Sequence, residues 1–328
     1  MNVILNKLFE HQLLSKEEAK EVLIAMASDV YNEAQMAAFL TVYRMRSITV
    51  AELKGFREAL LELALKVDLS DFNTIDLCGT GGDGKNTFNI STLTSFVVAG
   101  TGHKVAKHGN YSVSSASGSS NMLEYLGYNF TNDASVLKRQ LEKANICFLH
   151  APLFHPAMKV VGPVRKKLGM KTFFNMLGPL VNPSSPQNQL VGVFDMSVAR
   201  LYNYLLQEST VNYGVIHTLD GYDEISLTSP FKLFTQEGEK NISPADLGLK
   251  TIKQEAIFGG NSVPEAANIF KNILDAKGTE AQNNVVLTNA AFALKTFDAT
   301  LSFEAAFEQS KSSLMGLKAK KALEILIS

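Results

Sequence analysis

The first 66 residues carry apolar side chains at helical spacing and show no strand-like alternation. Apolar residues recur at helical spacing, as at Leu53, Phe56, Leu60, Leu63 and Ala64. Three capping boxes, which satisfy backbone N–H groups at a helix start, precede such runs. They are Ser15 with Glu18, Asn32 with Gln35, and Thr49 with Glu52. The pattern predicts a small helical bundle over residues 1–66.

From residue 73 onward, short apolar runs alternate with helical segments. Strands are predicted at 74–78, about 103–107, 146–149, 189–194 and 213–219. Helices are predicted from Ser91 to Gly100 or Gly102, near 118–127, at 133–144, and between the last two strands. This alternation is typical of a buried parallel sheet. The predicted fold class is α/β: a small all-helical domain plus a larger α/β domain with a mostly parallel central sheet flanked by helices.

The stretch from about 156 to 185 is helix-like and interrupted by prolines. It either returns to the helical domain or forms a hinge. We predict one domain from residues 1–66 with about 156–185, and an α/β domain from 67–155 with about 186–328. A chain of 328 residues is long enough for two such domains.

Composition narrows the class of partner. Lys plus Arg number 31 and Asp plus Glu number 32, a net charge of -1 that disfavours a nucleic-acid-binding role. Cys78 and Cys147 fit no metal-binding spacing and are expected to be free thiols. The N-terminus does not resemble a signal peptide, and no apolar run approaches the ~18 residues of a membrane span. A cytoplasmic protein without membrane contact is expected.

The segment 79–92, with the sequence GTGGDGKNTFNIST, joins the first predicted strand to a predicted helix. Glycines let backbone N–H groups approach a ligand, and a helix start favours phosphate. Asn89, Ser91 and Thr92 lie where that helix begins. The segment lacks the Walker A and GxGxxG spacings. We interpret it as a phosphate-binding loop, with an ordinary tight turn as the alternative.

The segment 107–119, with the sequence KHGNYSVSSASGS, follows the second predicted strand and contains a lysine, an asparagine and five serines. Their hydroxyl and N–H groups suit phosphate oxygens, and Lys107 adds positive charge. The segment is predicted to form a second wall of a polyphosphate site, although a serine-rich surface loop would have the same composition. His108 could act as a base, or could simply pack.

The adjacent carboxylates Asp223 and Glu224 follow the strand predicted to end at Leu219. Hard oxygen ligands of this kind suit Mg²⁺, which proteins often hold with few carboxylates plus substrate phosphates. A solvated acidic turn is the alternative. Arg165, in the proline-rich run 150–183, could bind a carboxylate bidentately or could be an ordinary surface charge.

Together these segments resemble the anthranilate phosphoribosyltransferase family, in matching order and spacing from about residue 20 to beyond Gly260. The motifs that carry the resemblance are Asp76 to Asp83, Asn89 to Thr92, Lys107 to Asn110, Ser114-Ser115, Gly118-Ser119, His155 to Met158, Pro163 to Arg165, Asn175 to Pro183, and Asp223 to Ser226.

The resemblance implies a fold similar to pyrimidine nucleoside phosphorylases and a homodimer that acts in tryptophan biosynthesis. Its reaction would transfer the phosphoribosyl group of phosphoribosyl pyrophosphate (PRPP) to the anthranilate amine, with two Mg²⁺ per subunit. It would need no general acid or base, and Lys107 and Asn110 would position the reactants. The α/β domain would bind PRPP.

By motif position the resemblance assigns residues to each ligand. The PRPP set is Gly79, Gly82, Asp83, Thr87, Asn89, Ile90, Ser91, Thr92, Lys107, His108, Gly109, Asn110, Ser114, Ser115 and Ser119. The anthranilate set is Gly79, Asn110 and Arg165, and the metal set is Ser91, Asp223 and Glu224.

Three positions depart from the family pattern: Tyr111, where Arg is usual, Ala116, where Lys is frequent, and Asn121, where Asp is often found. The first two remove positive charge, which affects substrate affinity and positioning more than reaction class. A nucleoside phosphorylase is the nearest alternative enzyme, and the Lys107 to Asn110 motif and the acidic pair argue against it. A relative that has lost catalysis and binds nucleic acid is disfavoured by the net charge.

Overall fold

The computed structural model describes residues 1–112 and 117–328. Its strands are β1 (Thr74–Gly79), β2 (Lys104–Gly109), β3 (Ile146–His150), β4 (Asn188–Gly192), β5 (Asn212–Thr218), β6 (Phe231–Thr235) and β7 (Gly238–Ile242). Its helices are α1 (Asn2–Phe9), α2 (Lys16–Ala27), α3 (Glu33–Met45), α4 (Val50–Leu63), α5 (Ile90–Gly100), α6 (Ser119–Tyr125), α7 (Ala134–Ala144), α8 (Ala151–Phe154), α9 (Met158–Leu168), α10 (Phe174–Leu177), α11 (Met196–Gln207), α12 (Val263–Leu274), α13 (Glu280–Phe297), α14 (Phe303–Met315) and α15 (Lys318–Ile327).

The chain divides into two compact units. The first comprises Met1–Val67 and Ala151–Ser185, and the second comprises Asp68–His150 and Pro186–Ser328. Residues 151–155 lie in the first unit, five residues before the boundary drawn from the sequence. The reason is local: α8 ends at Phe154, whose carbonyl oxygen accepts a 2.8 Å hydrogen bond from the N–H of Leu65.

The first unit is helical, and all three predicted capping boxes are confirmed at the starts of α2, α3 and α4. Its core contains an aromatic cluster in which Phe56 and Phe173 stack with ring centroids 4.4 Å apart. Edge-to-face contacts add Phe39 and Tyr43 to the cluster. The completely buried Glu52 carboxylate forms an ion pair with Arg46 and caps its own helix.

The second unit is built on a seven-stranded sheet, counted over the described residues, with the order β3-β2-β1-β4-β5-β6-β7. The strands from β1 to β5 pair in parallel, and β6 and β7 add an antiparallel hairpin at one edge. The predicted mostly parallel α/β fold is confirmed. The hairpin was not predicted from the sequence.

Helix α5 explains how the sheet is covered. Nearly all of its side chains are buried, including Phe96 and Val97, and it contacts α13 and α15 as well as β1 and β2. A helix that is apolar on every side must lie in the interior of a domain. In the described part of the chain, no helix is both long enough and apolar enough to span a bilayer.

Candidate active site

The sheet of the second unit has a topological switch point between β1 and β4. The chain runs outward from β1 through β2 to β3, and then returns to the other side of β1 to form β4 and β5. Gly79 at the end of β1 pairs with Gly192 at the end of β4. In open parallel sheets, ligands bind outside the carboxyl ends of the strands at this point.

Asp223 lies over both glycines. A Cβ on Gly79 would overlap the Asp223 carboxylate, and one on Gly192 would overlap its carbonyl oxygen. The Oδ2 atom of Asp223 accepts a 2.6 Å hydrogen bond from the N–H of Gly81. Sequence reasoning missed Gly192, although a glycine inside a strand is itself a sign of close backbone approach.

Glu224 binds the start of α5. Its Oε1 atom accepts a 2.8 Å hydrogen bond from the N–H of Ser91 in the first turn of that helix. The positive end of the helix dipole stabilises a carboxylate in this position. The N–H groups of Gly81 and Ser91 therefore bind the acidic pair, so a phosphate bound beside them must use other donors of the loop.

The carboxyl groups of Asp83, Asp223 and Glu224 form one electrostatic cluster. Burial, and secondly the charge of Asp83, raise the pKa of Asp223 to about 7. Burial, and then the charge of Asp223, raise the pKa of Glu224 well above its ordinary value. Burial also raises the pKa of Asp83. A bound cation would relieve this mutual repulsion.

The cluster fits Mg²⁺ by its donor chemistry, since all of its ligand atoms are hard carboxylate oxygens. Among residues 1–112 and 117–328, no three His, Cys, Asp or Glu side chains converge as a ready metal cage. Mg²⁺ usually binds one or two carboxylates and completes its shell with substrate phosphates and water. The acidic pair and Asp83 suit that mode of binding.

Lys107 belongs to β2 and is buried, with 2% of its surface exposed. Its ammonium group donates a hydrogen bond to the carbonyl oxygen of Leu77. Burial lowers the pKa of Lys107, and the negative charges of Asp76 and Glu224 act in the opposite direction. This position supports an indirect, positioning role for Lys107 beneath the acidic pair.

Asp76 was quoted in the sequence motif but was given no role. It is completely buried, and its Oδ1 atom accepts a 3.0 Å hydrogen bond from the N–H of His108. The β1–β2 register is limited to Thr74 with Lys104 and Ile75 with Val105. The Asp76 side chain therefore holds the two strands together where they diverge.

The segment after β2 folds against the start of α6. The carbonyl oxygen of Asn110 accepts hydrogen bonds from Ser120 N–H at 3.2 Å and Ser119 Oγ at 3.3 Å. The Asn110 side chain is exposed. The segment 79–92, called the glycine loop below, contacts the same segment, because Asn89 Nδ2 donates to the carbonyl oxygen of Ser117 at 2.9 Å. Ser114, Ser115 and Ala116 lie outside the described residues.

A further segment holds the end of the glycine loop. Phe88 N–H donates to the carbonyl oxygen of Ile257, and Asn86 Nδ2 donates to that of Gly260 at 2.8 Å. A Cβ on Gly259 would overlap the carbonyl oxygen of Thr87. Residues 257–260 therefore fix the predicted ligand positions Thr87 to Asn89, a role that the sequence analysis did not assign.

The predicted PRPP and metal residues that the structure describes thus lie together in the second unit. The segments 79–92 and 107–119 and the pair 223–224 are linked by direct contacts: Gly81 with Asp223, Ser91 with Glu224, and Asn89 with Ser117. The helix start, the glycine loop and the acidic pair form one polar centre at the switch point.

Arg165 belongs to α9 in the first unit. Its guanidinium lies 5.2 Å from the ring centroid of Phe174 and donates to Asn175 Oδ1 at 3.3 Å. Burial lowers the pKa of Arg165, and no acidic side chain of residues 1–112 or 117–328 pairs with it. A half-buried guanidinium held by a ring and an amide is suited to binding an external carboxylate.

Comparison with known proteins shows which family shares these features. Residues 71–319 match a family model described as the glycosyl transferase family, a/b domain, and residues 2–64 match its helical bundle domain. An anthranilate phosphoribosyltransferase from Flavobacterium johnsoniae is 61% identical over 326 residues, which cover 99% of this chain and 98% of that protein. The chain belongs to the anthranilate phosphoribosyltransferase family. The resemblance inferred from the motifs is confirmed.

Other relatives are less similar in sequence but still match over nearly the full length of both chains. The anthranilate phosphoribosyltransferase of Bacteroides fragilis strain YCH46 is 51% identical over 99% of this chain and 98% of its own length. The crystal structure of the Thermus thermophilus anthranilate phosphoribosyltransferase matches with a TM-score of 0.91 at 30% identity, covering 98% of both chains. A Saccharomyces cerevisiae structure in complex with PRPP and Mg matches with a TM-score of 0.89 at 25% identity, covering 98% and 95%.

Proposed function

We propose that this chain transfers the phosphoribosyl group of PRPP to the amine of anthranilate, as a step of tryptophan biosynthesis. The products are N-(5-phosphoribosyl)anthranilate and pyrophosphate. One observation carries the proposal: in a member of this family, the glycine loop, the segment after β2 and the acidic pair meet at the switch point of the sheet.

The bound pyrophosphate group is the centre of the proposed chemistry. When bound, Mg²⁺ would neutralise charge that develops on the departing pyrophosphate oxygens. Asp223, Glu224 and Asp83 are the residues that would hold it, and the resemblance adds Ser91. Left-handed backbone at Gly82 and Gly84, with φ of 75° and 73°, lets the loop turn tightly. The remaining N–H groups of the loop would bind the phosphate oxygens.

The reaction is a displacement at C1 of the ribose. The lone pair of the anthranilate nitrogen forms the new C1–N bond as the bond from C1 to the pyrophosphate oxygen breaks, and that electron pair leaves with pyrophosphate. The nitrogen then releases a proton to solvent. An aromatic amine is uncharged near neutral pH, so the chain needs no strong general base, and its work is positioning and charge stabilisation.

Positioning is assigned to a few side chains. Asn110 is exposed beside α6, and we assign it to both substrates, with Gly79 beside anthranilate. Lys107 is buried and would act through the strand ends that it holds. Arg165 would bind the anthranilate carboxylate, since its guanidinium is held in place by Phe174 and Asn175.

Two finer points extend the proposal. We infer two Mg²⁺ per subunit, as the resemblance implies, held by the acidic pair and Asp83 together with the pyrophosphate oxygens. We also propose a homodimer, as the resemblance implies. Light scattering at micromolar concentration would then give twice the 35.8 kDa mass of the chain.

The proposed activity is tested by mixing the chain with PRPP and anthranilate and following anthranilate fluorescence. We expect the fluorescence to fall when Mg²⁺ is present and to stay constant when EDTA replaces it. Release of one pyrophosphate per anthranilate consumed would confirm the products. Cleavage of pyrimidine nucleosides by phosphate, without consumption of anthranilate, would instead identify a nucleoside phosphorylase and overturn the proposal.

A further inference from the structure

Asn289 of α13 forms hydrogen bonds with the backbone of the residue directly after the acidic pair. Its Oδ1 atom accepts a 3.1 Å hydrogen bond from the N–H of Ile225, and its Nδ2 donates to the carbonyl oxygen of Ile225 at 2.9 Å. The same Nδ2 donates to the carbonyl oxygen of Val285 at 2.8 Å. One buried carboxamide thus satisfies both backbone groups of the residue that follows Glu224.

Other contacts also fix the segment, besides the hydrogen bond from the Ser91 N–H to Glu224. The hydroxyl of Thr218 donates to the carbonyl oxygen of Glu224 at 2.6 Å, and the N–H of Gly81 donates to the Asp223 carboxylate. Asn289 adds a contact from α13, a helix that lies 64 residues later in the chain. The backbone at 224–225 is therefore held by β5 and α13, and the Asp223 side chain by the loop.

Asn289 also lies next to the acidic pair, and is not only a hydrogen-bonded amide of the core. It lines a small cavity together with Ser91, Asp223 and Glu224. Two buried carboxylates repel each other, so a free segment would let them move apart towards water. A rigid backbone keeps them together before a cation binds. Outer groups that orient metal ligands commonly change metal affinity by about 10–100-fold when they are removed.

We infer that Asn289 is a positioning residue that preorganises Asp223 and Glu224 for a divalent cation, through its paired hydrogen bonds to Ile225. The inference rests on the proposed function for the identity of the cation and of its pyrophosphate co-ligand. It assigns to α13 a part in the metal site that the sequence motifs do not indicate.

The substitution Asn289→Ser removes the hydrogen bonds to Ile225 and can keep the one to Val285 within α13. A serine hydroxyl can still bond to the carbonyl oxygen four residues earlier, as Thr288 does with Asn284 at 2.7 Å, but it is too short to reach Ile225. Thr288→Val is the matched control, because Thr288 is its buried neighbour and its bond stays inside α13. Asn289→Leu, of similar size, is a second variant that removes every hydrogen bond of the side chain.

The probe is Mn²⁺ with inorganic pyrophosphate, with the free ion measured by electron paramagnetic resonance. We expect the Kd for Mn²⁺ to rise by about 10–100-fold in Asn289→Ser and Asn289→Leu and to stay within twofold of wild type in Thr288→Val. In steady-state assays, the Mg²⁺ concentration for half-maximal rate should rise by a similar factor in Asn289→Ser. Its kcat at saturating Mg²⁺ should fall by less than about threefold.

An unchanged Mn²⁺ Kd in folded Asn289→Ser would overturn the inference. Failure of both Asn289 variants to fold, with Thr288→Val folded, would also overturn it, because the residue would then serve the core. The proposed function fails separately: if wild type binds Mn²⁺ in an Asn289-dependent way but consumes no anthranilate, the positioning role stands and the reaction assignment falls.

Discussion

Gly192 of β4 faces the backbone of Asp223 so closely that a Cβ at this position would overlap the Asp223 carbonyl oxygen. Gly79, its partner across β1 and β4, leaves the same kind of space for the Asp223 carboxylate. Two glycines at the ends of adjacent strands thus make room for the backbone and the side chain of one residue, Asp223, at the switch point. The position of Asp223 therefore requires that residues 79 and 192 carry no side chain.

Gly192→Ala should therefore damage the site. The added methyl group meets backbone rather than a flexible side chain, so the segment at Asp223 must move, at a cost of about 1–3 kcal/mol in stability. We expect the displaced carboxylate to lower kcat/KM by about 100-fold or more, as the loss of a single transition-state contact does elsewhere. Steady-state kinetics and thermal unfolding measure the two effects.

The matched control is Gly162→Ala in α9, where a Cβ meets no atom within 4 Å and the backbone is not left-handed. Because Gly162 precedes Pro163, whose ring disfavours helical backbone at a preceding residue with a Cβ, we expect a small loss of stability but none of the fall in kcat/KM. If Gly192→Ala matched wild type in both stability and kcat/KM, the close packing described for Asp223 would be wrong.

Arg165→Ala should weaken anthranilate binding selectively. A hydrogen bond to a charged group contributes about 1.5–3 kcal/mol, which corresponds to a rise of about 10–100-fold in the KM for anthranilate. The KM for PRPP should change much less. Arg165→Lys keeps the charge but loses the bidentate geometry, so an intermediate value is expected. An anthranilate KM equal to that of wild type in the alanine variant would remove Arg165 from the acceptor site.

Asn121 should control PRPP binding through the segment between Ser112 and Gly118, which includes the predicted ligands Ser114 and Ser115. Its Oδ1 atom accepts hydrogen bonds from the N–H groups of Ser112 and Gly118, both at 3.0 Å, and so joins these two residues. Asn121→Leu removes both bonds, each contributing about 1 kcal/mol. We expect the KM for PRPP to rise by about tenfold or more.

Asn121→Asp is the internal control for this prediction, because a carboxylate oxygen can accept the same two hydrogen bonds. It should therefore restore most of the affinity for PRPP. Equal PRPP KM values in wild type and Asn121→Leu would show that the two bonds have no effect on the site.

Local sequence chemistry predicted much of the fold. The capping boxes at Ser15, Asn32 and Thr49 are confirmed because each joins residues only three apart, so the signal is complete within one turn. Strand order and the β6–β7 hairpin depend on pairings between distant segments. The short run Phe231–Thr235 has only two or three inward positions and gave no distinct periodic signal.

The candidate site was predictable where residue type alone carries the chemistry, as in the glycine loop and the acidic pair. Gly192 and Asn289 could not be found in this way, because their roles depend on which segment passes beside them. The helix start was predicted near Ser91 and α5 begins at Ile90, but the hydrogen bond from the Ser91 N–H to Glu224 was not predicted. Only the tertiary structure shows that Glu224 occupies an N–H group at the start of this helix.

Acid should destabilise the first unit through His155. This side chain is 4% exposed, and burial lowers its pKa to about 4. The unfolded imidazole, with an ordinary pKa of 6.5, takes up a proton below that pH while the folded one stays neutral. The contribution of His155 to the free energy of unfolding is therefore fully present above about pH 6.5 and is lost as the pH drops towards 4. At pH 5 the loss is about 2 kcal/mol.

The substitution His155→Gln, which does not titrate, isolates this contribution. Thermal unfolding of wild type and variant at pH 7.5 and pH 5 should show a larger drop in Tm for wild type. Comparison of the two differences cancels the contribution of every other titrating group. An identical drop in both proteins would show that His155 is not held in its neutral form.

The central claim is that one pyrophosphate group is bound where the glycine loop, the segment after β2 and the acidic pair meet, and that metal on that pair is required. Calorimetric titration of inorganic pyrophosphate into the chain, with Mg²⁺ and with EDTA, tests it most directly. We predict binding with Mg²⁺, little or none with EDTA, and an affinity at least about 100-fold lower in folded Asp223→Asn/Glu224→Gln. A pyrophosphate affinity, in EDTA or in the double variant, equal to that of wild type with Mg²⁺ would contradict the account.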